Sequence, residues 1–376
     1  MKVKVAGTGL TKFGELWNKS FYDLAYDAAS EAVEDSGLDI KDIDAIYVAN
    51  MLFGKVDNQD HLGAVVASLL GSNAAAMRIE GACASGGLAI NAAVNAIISG
   101  MYKNVLVVGV EKMTDMGAAE ISAALMGAGS EEERQAGLTF PALYALMARA
   151  HMQQYGTTRE HMAAVAVKNH YHASLNHKAQ FPYEVTIEQV LNSPAISNPF
   201  TLFDASPISD GAAAVVLAAT SRKKVSITAS SIATDTLELS SRKDLTTLQA
   251  TKLAADKAYQ QAGITPKDVN VVEVHDCFTI AEIMAMEDLG FCAKGDGGEF
   301  IAGGATKLGF ALPTNTSGGL KACGHPVGAT GVKQIVEITH QLEEKATNRQ
   351  VQKAKVGLTQ NVGGTGATVV VHILQI

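Results

Sequence analysis

A chain of 376 residues with 47% hydrophobic and 18% charged side chains has an ordinary globular composition, and its length predicts two packed units rather than one core. A formal charge of −8 without Lys/Arg clusters excludes nucleic acid as the main ligand, since phosphate neutralisation needs a basic surface. Four cysteines, spaced widely at 83, 277, 292 and 323, point to reduced thiols, and MKVKVAGTGLTKFGE lacks the apolar run of a signal peptide, so a cytoplasmic protein is expected.

In chain order, the sequence predicts a strand at 2–6 and then a helix capped by Ser20, with Asp23 three residues on and Gly37 closing it. Strands follow at 45–49 and 77–80. The 22 residues from Gly81 to Tyr102 carry no charged side chain, and Leu88, Ile90, Ala92, Val94 and Ile97 wrap round a helix, the pattern of a helix buried on all sides. Asn91, Asn95, Ser85, Ser99 and four glycines make this stretch too polar for a membrane span. The strand-like NVLVVGV at 104–110 completes an α/β unit with a buried sheet.

Cys83 opens the buried helix, where free N–H groups and the helix dipole are expected to favour a thiolate. An inert, packed cysteine is the competing reading, and this stretch alone does not separate the two.

Residues 112–205 form an insert rich in Met, His, Tyr and Gln, with helical periodicity in TFPALYALMARAHMQQYG and REHMAAVAVKNHYHASLN; such an excursion is expected to cap or line a site. His170, His172 and His177, spaced H-x-H-x₄-H without nearby Cys or acidic partners, read as a solvated helix end rather than a metal site. SPISDGAAAVVLAA returns the chain to a strand.

Residues 250–276 then repeat residues 24–50 at an offset of 226. Ala28, Ala29, Ala32, Gly37, Lys41, Asp42 and Val48 recur as Ala254, Ala255, Ala258, Gly263, Lys267, Asp268 and Val274, which marks a duplicated unit of helix, turn and strand.

Three reactive turns follow. EVHDCFTIAE places His275, Asp276 and Cys277 between a strand and a helix, with Thr279 and Glu282 as a capping box. KACGHPVGATG places His325 before another helix. TQNVGGTGAT is a glycine turn suited to presenting N–H groups. No Walker loop is present, and the glycine-rich segments lack the context of a dinucleotide site. Because open α/β sheets carry their chemistry at the carboxyl ends of strands, all three turns are expected to converge on Cys83.

On four motifs, GACASGG around Cys83, HDCF at 275–278, GGLKACGHPVGATG at 318–331 and NVGGTGAT at 361–368, the chain resembles the thiolase superfamily. Within it, the chain is similar to the HDCF group of sterol-carrier-protein-type and archaeal acetoacetyl-CoA thiolases. The resemblance implies the α/β thiolase fold: five layers, αβαβα, from two duplicated halves (1–111 with 206–222, and 223–376) and a loop domain inserted at 112–205. It also implies an acetyl-CoA C-acetyltransferase in lipid metabolism and the mevalonate pathway, with longer-chain 3-oxoacyl-CoA thiolases or a non-catalytic acyl-CoA-binding scaffold as alternatives. Its substrates would be coenzyme A thioesters, with no permanently bound cofactor and no metal.

Residue by residue, the resemblance makes Cys83 the nucleophile and His325 its activator. His275 becomes an oxyanion donor, Cys277 the acid/base, and Gly363 the partner of the Cys83 N–H in a second oxyanion hole. Asn361 stands where many thiolases carry a second cysteine. The implied assembly is a homodimer or tetramer, with a possible complex of hydroxymethylglutaryl-CoA synthase and a DUF35-type OB-fold protein, and with neither nucleic acid nor membrane as partner. Phe140, Tyr144, Met147 and Met152 are expected to narrow the acyl tunnel.

Overall fold

The computed structural model describes residues 2–376. The first half runs β1 (Val3–Leu10), α1 (Phe21–Ser36), β2 (Ala45–Ala49), α2 (Phe53–Val56), α3 (Leu62–Leu69), β3 (Ala75–Ile79), α4 (Ser85–Ile98) and β4 (Asn104–Glu111). Next come α5 (Ala118–Leu125), α6 (Glu131–Gln135), α7 (Phe140–Tyr155), α8 (Arg159–Ser174), α9 (Ile187–Leu191), a small hairpin of β5 (Ala195–Ser197) and β6 (Phe200–Thr201), and β7 (Gly211–Ala218). The rest is β8 (Ser226–Thr234), α10 (Gln249–Ala262), β9 (Val271–Glu273), α11 (Thr279–Asp288), α12 (Gly297–Ala302), α13 (Val327–Leu342), β10 (Val356–Gly363) and β11 (Thr368–Gln375).

Nine strands are hydrogen-bonded in the order β3-β2-β4-β7-β1-β8-β11-β10-β9. The half-sheets are joined edge to edge where β1 pairs with β8, at Val3 with Ile227 and Lys4 with Ser226. The period-2 alternation of strand side chains sorts the layers. On β4, Val105 and Val107 face the core that holds α4 and α13, whereas Leu106, Val108 and Val110 face the core under α1. On the second half, Val369, Val371 and Ile373 of β11 face the α10 and α11 side. Helices α4 and α13 touch strands of both halves and so lie between them. The layers therefore run α1, half-sheet, α4 with α13, half-sheet, α10 with α11, and α4 is buried as its all-round apolar surface requires.

The repeat at offset 226 is structural. α1 and α10 both end at a glycine in the left-handed region, Gly37 (φ 71°) and Gly263 (φ 67°). Each is followed by a 3₁₀ turn, Ile40–Asp42 and Pro266–Asp268, and then by β2 or β9. A left-handed terminator without Cβ strain is the role glycine fills best at C′. The Ser20–Asp23 capping box forms as the sequence predicts. The one at Thr279 and Glu282 does not: α11 begins at Thr279 itself, whose hydroxyl donates to Asp204, while Glu282 is bonded to Lys168, Asn169 and Asn315. No described helix is long and apolar enough to cross a membrane.

Candidate active site

Cys83 lies in the turn from β3 to α4. The turn is tight: Ala82 takes φ 54°, a left-handed conformation that costs strain in a residue with a Cβ. It is held by Ser85, whose hydroxyl accepts from the Gly81 N–H at 3.0 Å and donates to the Ala82 carbonyl at 2.6 Å. Behind the turn, α4 and α13 cross so closely that a Cβ on Gly86 would stand 2.7 Å from the Gly331 nitrogen. This glycine contact brings the start of α13, and with it His325, to the start of α4. The His325 N–H donates to Ser209 at 2.9 Å, and its Nδ1 lies 2.7 Å from the Thr330 hydroxyl one turn on.

The HDCF turn follows β9. The Val274 N–H donates to Asn315 and the His275 N–H to Gln360. Asp276 is buried, and its carboxylate accepts from the N–H groups of Leu320 (2.7 Å) and Lys321 (3.2 Å) and from Asn169 (2.7 Å). It thereby ties this turn to the loop carrying His325. Burial, and then the nearby Glu282, push its carboxyl up to about 7. Glu111, at the end of β4, does the same for other segments: it accepts from the N–H groups of Met51, Leu52 and Gly328, and burial raises it to about 7.

These turns bring the Cys83 sulfur and one ring nitrogen each of His275 and His325 within 4.8 Å of one another. The two rings meet edge to face with centroids 5.0 Å apart. Cys277 joins them as a lining residue of one cavity of about 190 Å³, with Leu125, Phe140, Tyr144, Phe278 and Gly364 among its other walls. Cys277 is buried and Cys83 half-buried. The Tyr144 hydroxyl donates to the Gly364 carbonyl at 3.0 Å and lies within hydrogen-bonding reach of the Cys277 sulfur.

Desolvation dominates the electrostatics. It pushes the Cys83 thiol up to about 12, against smaller opposing contributions from the Gly364 and Cys83 N–H groups, and raises Cys277 further. It holds His325 down at about 3 and His275 well below its ordinary value. The resting site is thus two thiols and two neutral imidazoles. The expected resting thiolate at the start of α4 is not favoured, because burial outweighs the helix terminus.

Gly363 closes β10 against the Cys83 turn, where a Cβ on it would stand 2.6 Å from the Gly81 carbonyl oxygen and 3.3 Å from the Ala84 Cβ, and the next residue, Gly364, lines the cavity of Cys83. Other sequence expectations are redrawn. His170 and His172 are buried rather than solvated: His170 bonds the Tyr183 carbonyl, and His172 bridges the Asn315 carbonyl and the Leu308 N–H. His177 is exposed. Phe140 and Tyr144 line the cavity, whereas Met147 and Met152 pack in the core behind it. Glu111 carried no signal in the sequence, since any polar residue near a strand end has the same local pattern, whereas Asp276 stood on the turn with His275 and Cys277 but with no role to set it apart.

The chain matches the N-terminal thiolase domain family over residues 3–221 and the C-terminal thiolase domain-like family over residues 231–376. The chain belongs to the thiolase family of acyltransferases. Among its thiolase-like relatives, an acetyl-CoA acetyltransferase of Methanothermobacter thermautotrophicus is 48% identical over 379 residues, covering 99% of this chain and 98% of the relative. One of Methanocaldococcus jannaschii is 46% identical over 387 residues, covering 99% and 98%. Human sterol carrier protein 2 is 33% identical over 392 residues, covering 98% of this chain and 71% of that protein. Among solved structures, an "Ltp2-ChsH2(DUF35) aldolase" superposes with a TM-score of 0.84 at 25% identity, covering 99% of this chain and 97% of that one. An acetyl-CoA acetyltransferase from Syntrophomonas wolfei (TM-score 0.76, 23% identity, covering 100% and 99%) shares the thiolase fold.

Proposed function

We propose that this thiolase is an acetyl-CoA C-acetyltransferase that makes and cleaves acetoacetyl-CoA through an acyl-Cys83 intermediate. The observation that carries this reading is the meeting of Cys83, His275, Cys277 and His325 around one small cavity. His325 takes the Cys83 proton as the sulfur attacks the thioester of acetyl-CoA, and CoA leaves as its thiol with that proton. Cys277 then passes its own proton to His325, neutral again once CoA has left, and the resulting thiolate removes a proton from C2 of a second acetyl-CoA. The electron pair moves onto the thioester oxygen, where His275 and His325 donate hydrogen bonds worth about 2.7–4 kcal/mol each in comparable holes. The carbanion attacks acetyl-Cys83, the tetrahedral oxygen sits at the N–H groups of Cys83 and Gly363, and the Cys83–acyl bond breaks as the sulfur regains its proton from His325. Thiolysis is the reverse.

A cavity of about 190 Å³ is small beside the roughly 300–1,000 Å³ of sites for larger ligands, which favours an acetyl group over longer 3-oxoacyl chains. CoA thioesters enter as substrates, with no resident cofactor. We assign residues 1–111 with 206–222 and 223–376 to the two halves and 112–205 to the loop domain, and place the protein in the cytoplasm, in lipid and mevalonate metabolism. A homodimer or tetramer is supported by the exposed Ala75 and Met77 on β3, the outer strand of the sheet. A complex with hydroxymethylglutaryl-CoA synthase and a DUF35-type protein is supported, for its second partner, by the DUF35 chain named with the aldolase neighbour.

The test is labelled acetyl-CoA followed by mass spectrometry. Wild type acquires one acetyl group at Cys83 and Cys83→Ala acquires none. Cys277→Ala is acetylated but does not exchange α-protons of acetyl-CoA with solvent. Acetylation of Cys83→Ala, or exchange at the wild-type rate in Cys277→Ala, removes the corresponding assignment.

A further inference from the structure

Two histidines stand in this cavity, and the proposed chemistry asks opposite things of them: one must accept a proton and the other must only donate a hydrogen bond. Their neighbours treat them differently. The Thr330 hydroxyl beside His325 Nδ1 gives its one hydrogen to the Pro326 carbonyl at 3.0 Å, so it accepts from an Nδ1–H and leaves the lone pair of that ring on Nε2, free to take a proton. The neighbour of His275 Nδ1 is the side-chain nitrogen of Asn361, at 3.2 Å.

The orientation of the Asn361 amide is fixed by two unambiguous partners. Its Oδ1 accepts from the Gly87 backbone N–H at 2.9 Å, and its Nδ2 donates to the Cys83 carbonyl at 3.0 Å. A flipped amide would set N–H against N–H and O against O. The second hydrogen of Nδ2 therefore points at His275 Nδ1, which must offer a lone pair. The ring's proton is confined to Nε2, the nitrogen left for the cavity. Space for the amide is made by glycines: a Cβ on Gly331 would lie 2.3 Å from Asn361 Oδ1, and one on Gly87 would lie 3.0 Å from it. Asn361 is fully buried, so no water competes for these bonds.

Resting on the reading above, the geometry points to Asn361 as the positioning residue that locks His275 in its Nε2–H tautomer, making it a permanent hydrogen-bond donor to the enolate oxygen and barring it from acting as a base. The second cysteine that many thiolases carry at this position has no N–H to give, and here the residue takes up a different task. The lock also bears on cations. Cys83, His275 and His325 have the atom types a soft cation binds, but a protonated Nε2 is not a ligand, and its lone pair appears only when Asn361 is displaced.

Two measurements test this. Neutron diffraction from deuterium-exchanged wild-type protein should show a deuteron on His275 Nε2 and none on Nδ1; a deuteron on Nδ1 overturns the proposal without reference to any variant. Asn361→Asp, of the same shape, turns the donor into an acceptor and draws the proton to Nδ1, so kcat for condensation should fall by about 10²–10³ while KM changes only a few-fold. Protonating His275 in that variant restores Nε2–H. The ratio of variant to wild-type kcat should therefore rise as pH falls, and a ratio constant with pH means that Asn361 only holds the loop. Acetylation of Cys83 is read in parallel: its absence from wild type defeats the thiolase reading, whereas normal acetylation with a flat ratio defeats this inference alone.

Discussion

Tyr144 on α7 and Gly364 on the turn between β10 and β11 are joined across the cavity, the tyrosine hydroxyl donating to the glycine carbonyl at 3.0 Å. The Tyr144 ring stacks 4.7 Å from Phe278, the residue after Cys277. The insert thus contributes a polar atom as well as a wall, and that atom stands beside the proposed base.

When Cys277 ionises, the Tyr144 hydroxyl can turn its single hydrogen from the Gly364 carbonyl to the thiolate, and Tyr144→Phe removes that donor. Bonds to charged groups are worth about 1.5–3 kcal/mol, so α-proton exchange should slow by about 10–100-fold with acetylation of Cys83 nearly unchanged. Equal losses in both half-reactions would show that the tyrosine acts only through packing.

Acetylation should be insensitive to pH near neutrality. Burial sets the Cys83 thiol at about 12 and His325 at about 3, so between those limits the thiol and imidazole keep their protons and transfer one only within the attack. Below the lower limit the imidazolium cannot accept a proton, and the rate falls. The pH profile of kcat/KM for acetylation is therefore expected to be flat from about 5 to 9, unlike that of an ordinary thiol, which ionises near 8.5. A tenfold rise per pH unit through neutrality would contradict the neutral resting pair.

The Glu337–Arg349 pair predicts an acid limb in stability. Glu337 accepts from Arg349 Nε and Nη2 at 3.0 and 2.9 Å, and despite burial this pairing lowers its carboxyl to about 2 from an ordinary 4.5. A depressed folded pKa gives stability that is present above about 4.5 and lost as pH falls toward about 2. Arg349→Met leaves a buried carboxylate unpaired and should cost about 3–5 kcal/mol at pH 7. In urea titrations the difference from wild type should shrink as pH drops toward 3; a gap independent of pH would assign the loss to packing.

Chain-length preference should respond to the wall. Phe140→Ala opens the cavity, and each additional buried CH₂ is worth about 0.8 kcal/mol, so kcat/KM for 3-oxohexanoyl-CoA should rise several-fold relative to acetoacetyl-CoA. An unchanged ratio would mean that the acyl chain leaves by another wall.

Short-range chemistry made much of this protein readable from its residues alone. The Ser20–Asp23 cap, the buried α4, the strand at 45–49 and the repeat at offset 226 all follow from hydrophobic period, cap chemistry and glycine at left-handed positions. The three turns bearing Cys83, His275 with Cys277, and His325 were likewise recognisable, because strand ends are where such sheets place reactive side chains. Tertiary structure decided what depends on neighbours distant in sequence. It set the Cys83 thiol high, because burial and not the helix terminus governs it. It took Thr279 and Glu282 from a local cap into contacts with Asp204 and Lys168. It gave Asn361 three partners, Cys83 and Gly87 on one segment and His275 on another. Local propensity acts over a few residues, whereas desolvation and hydrogen-bond orientation are fixed only when segments hundreds of residues apart close around the same atoms.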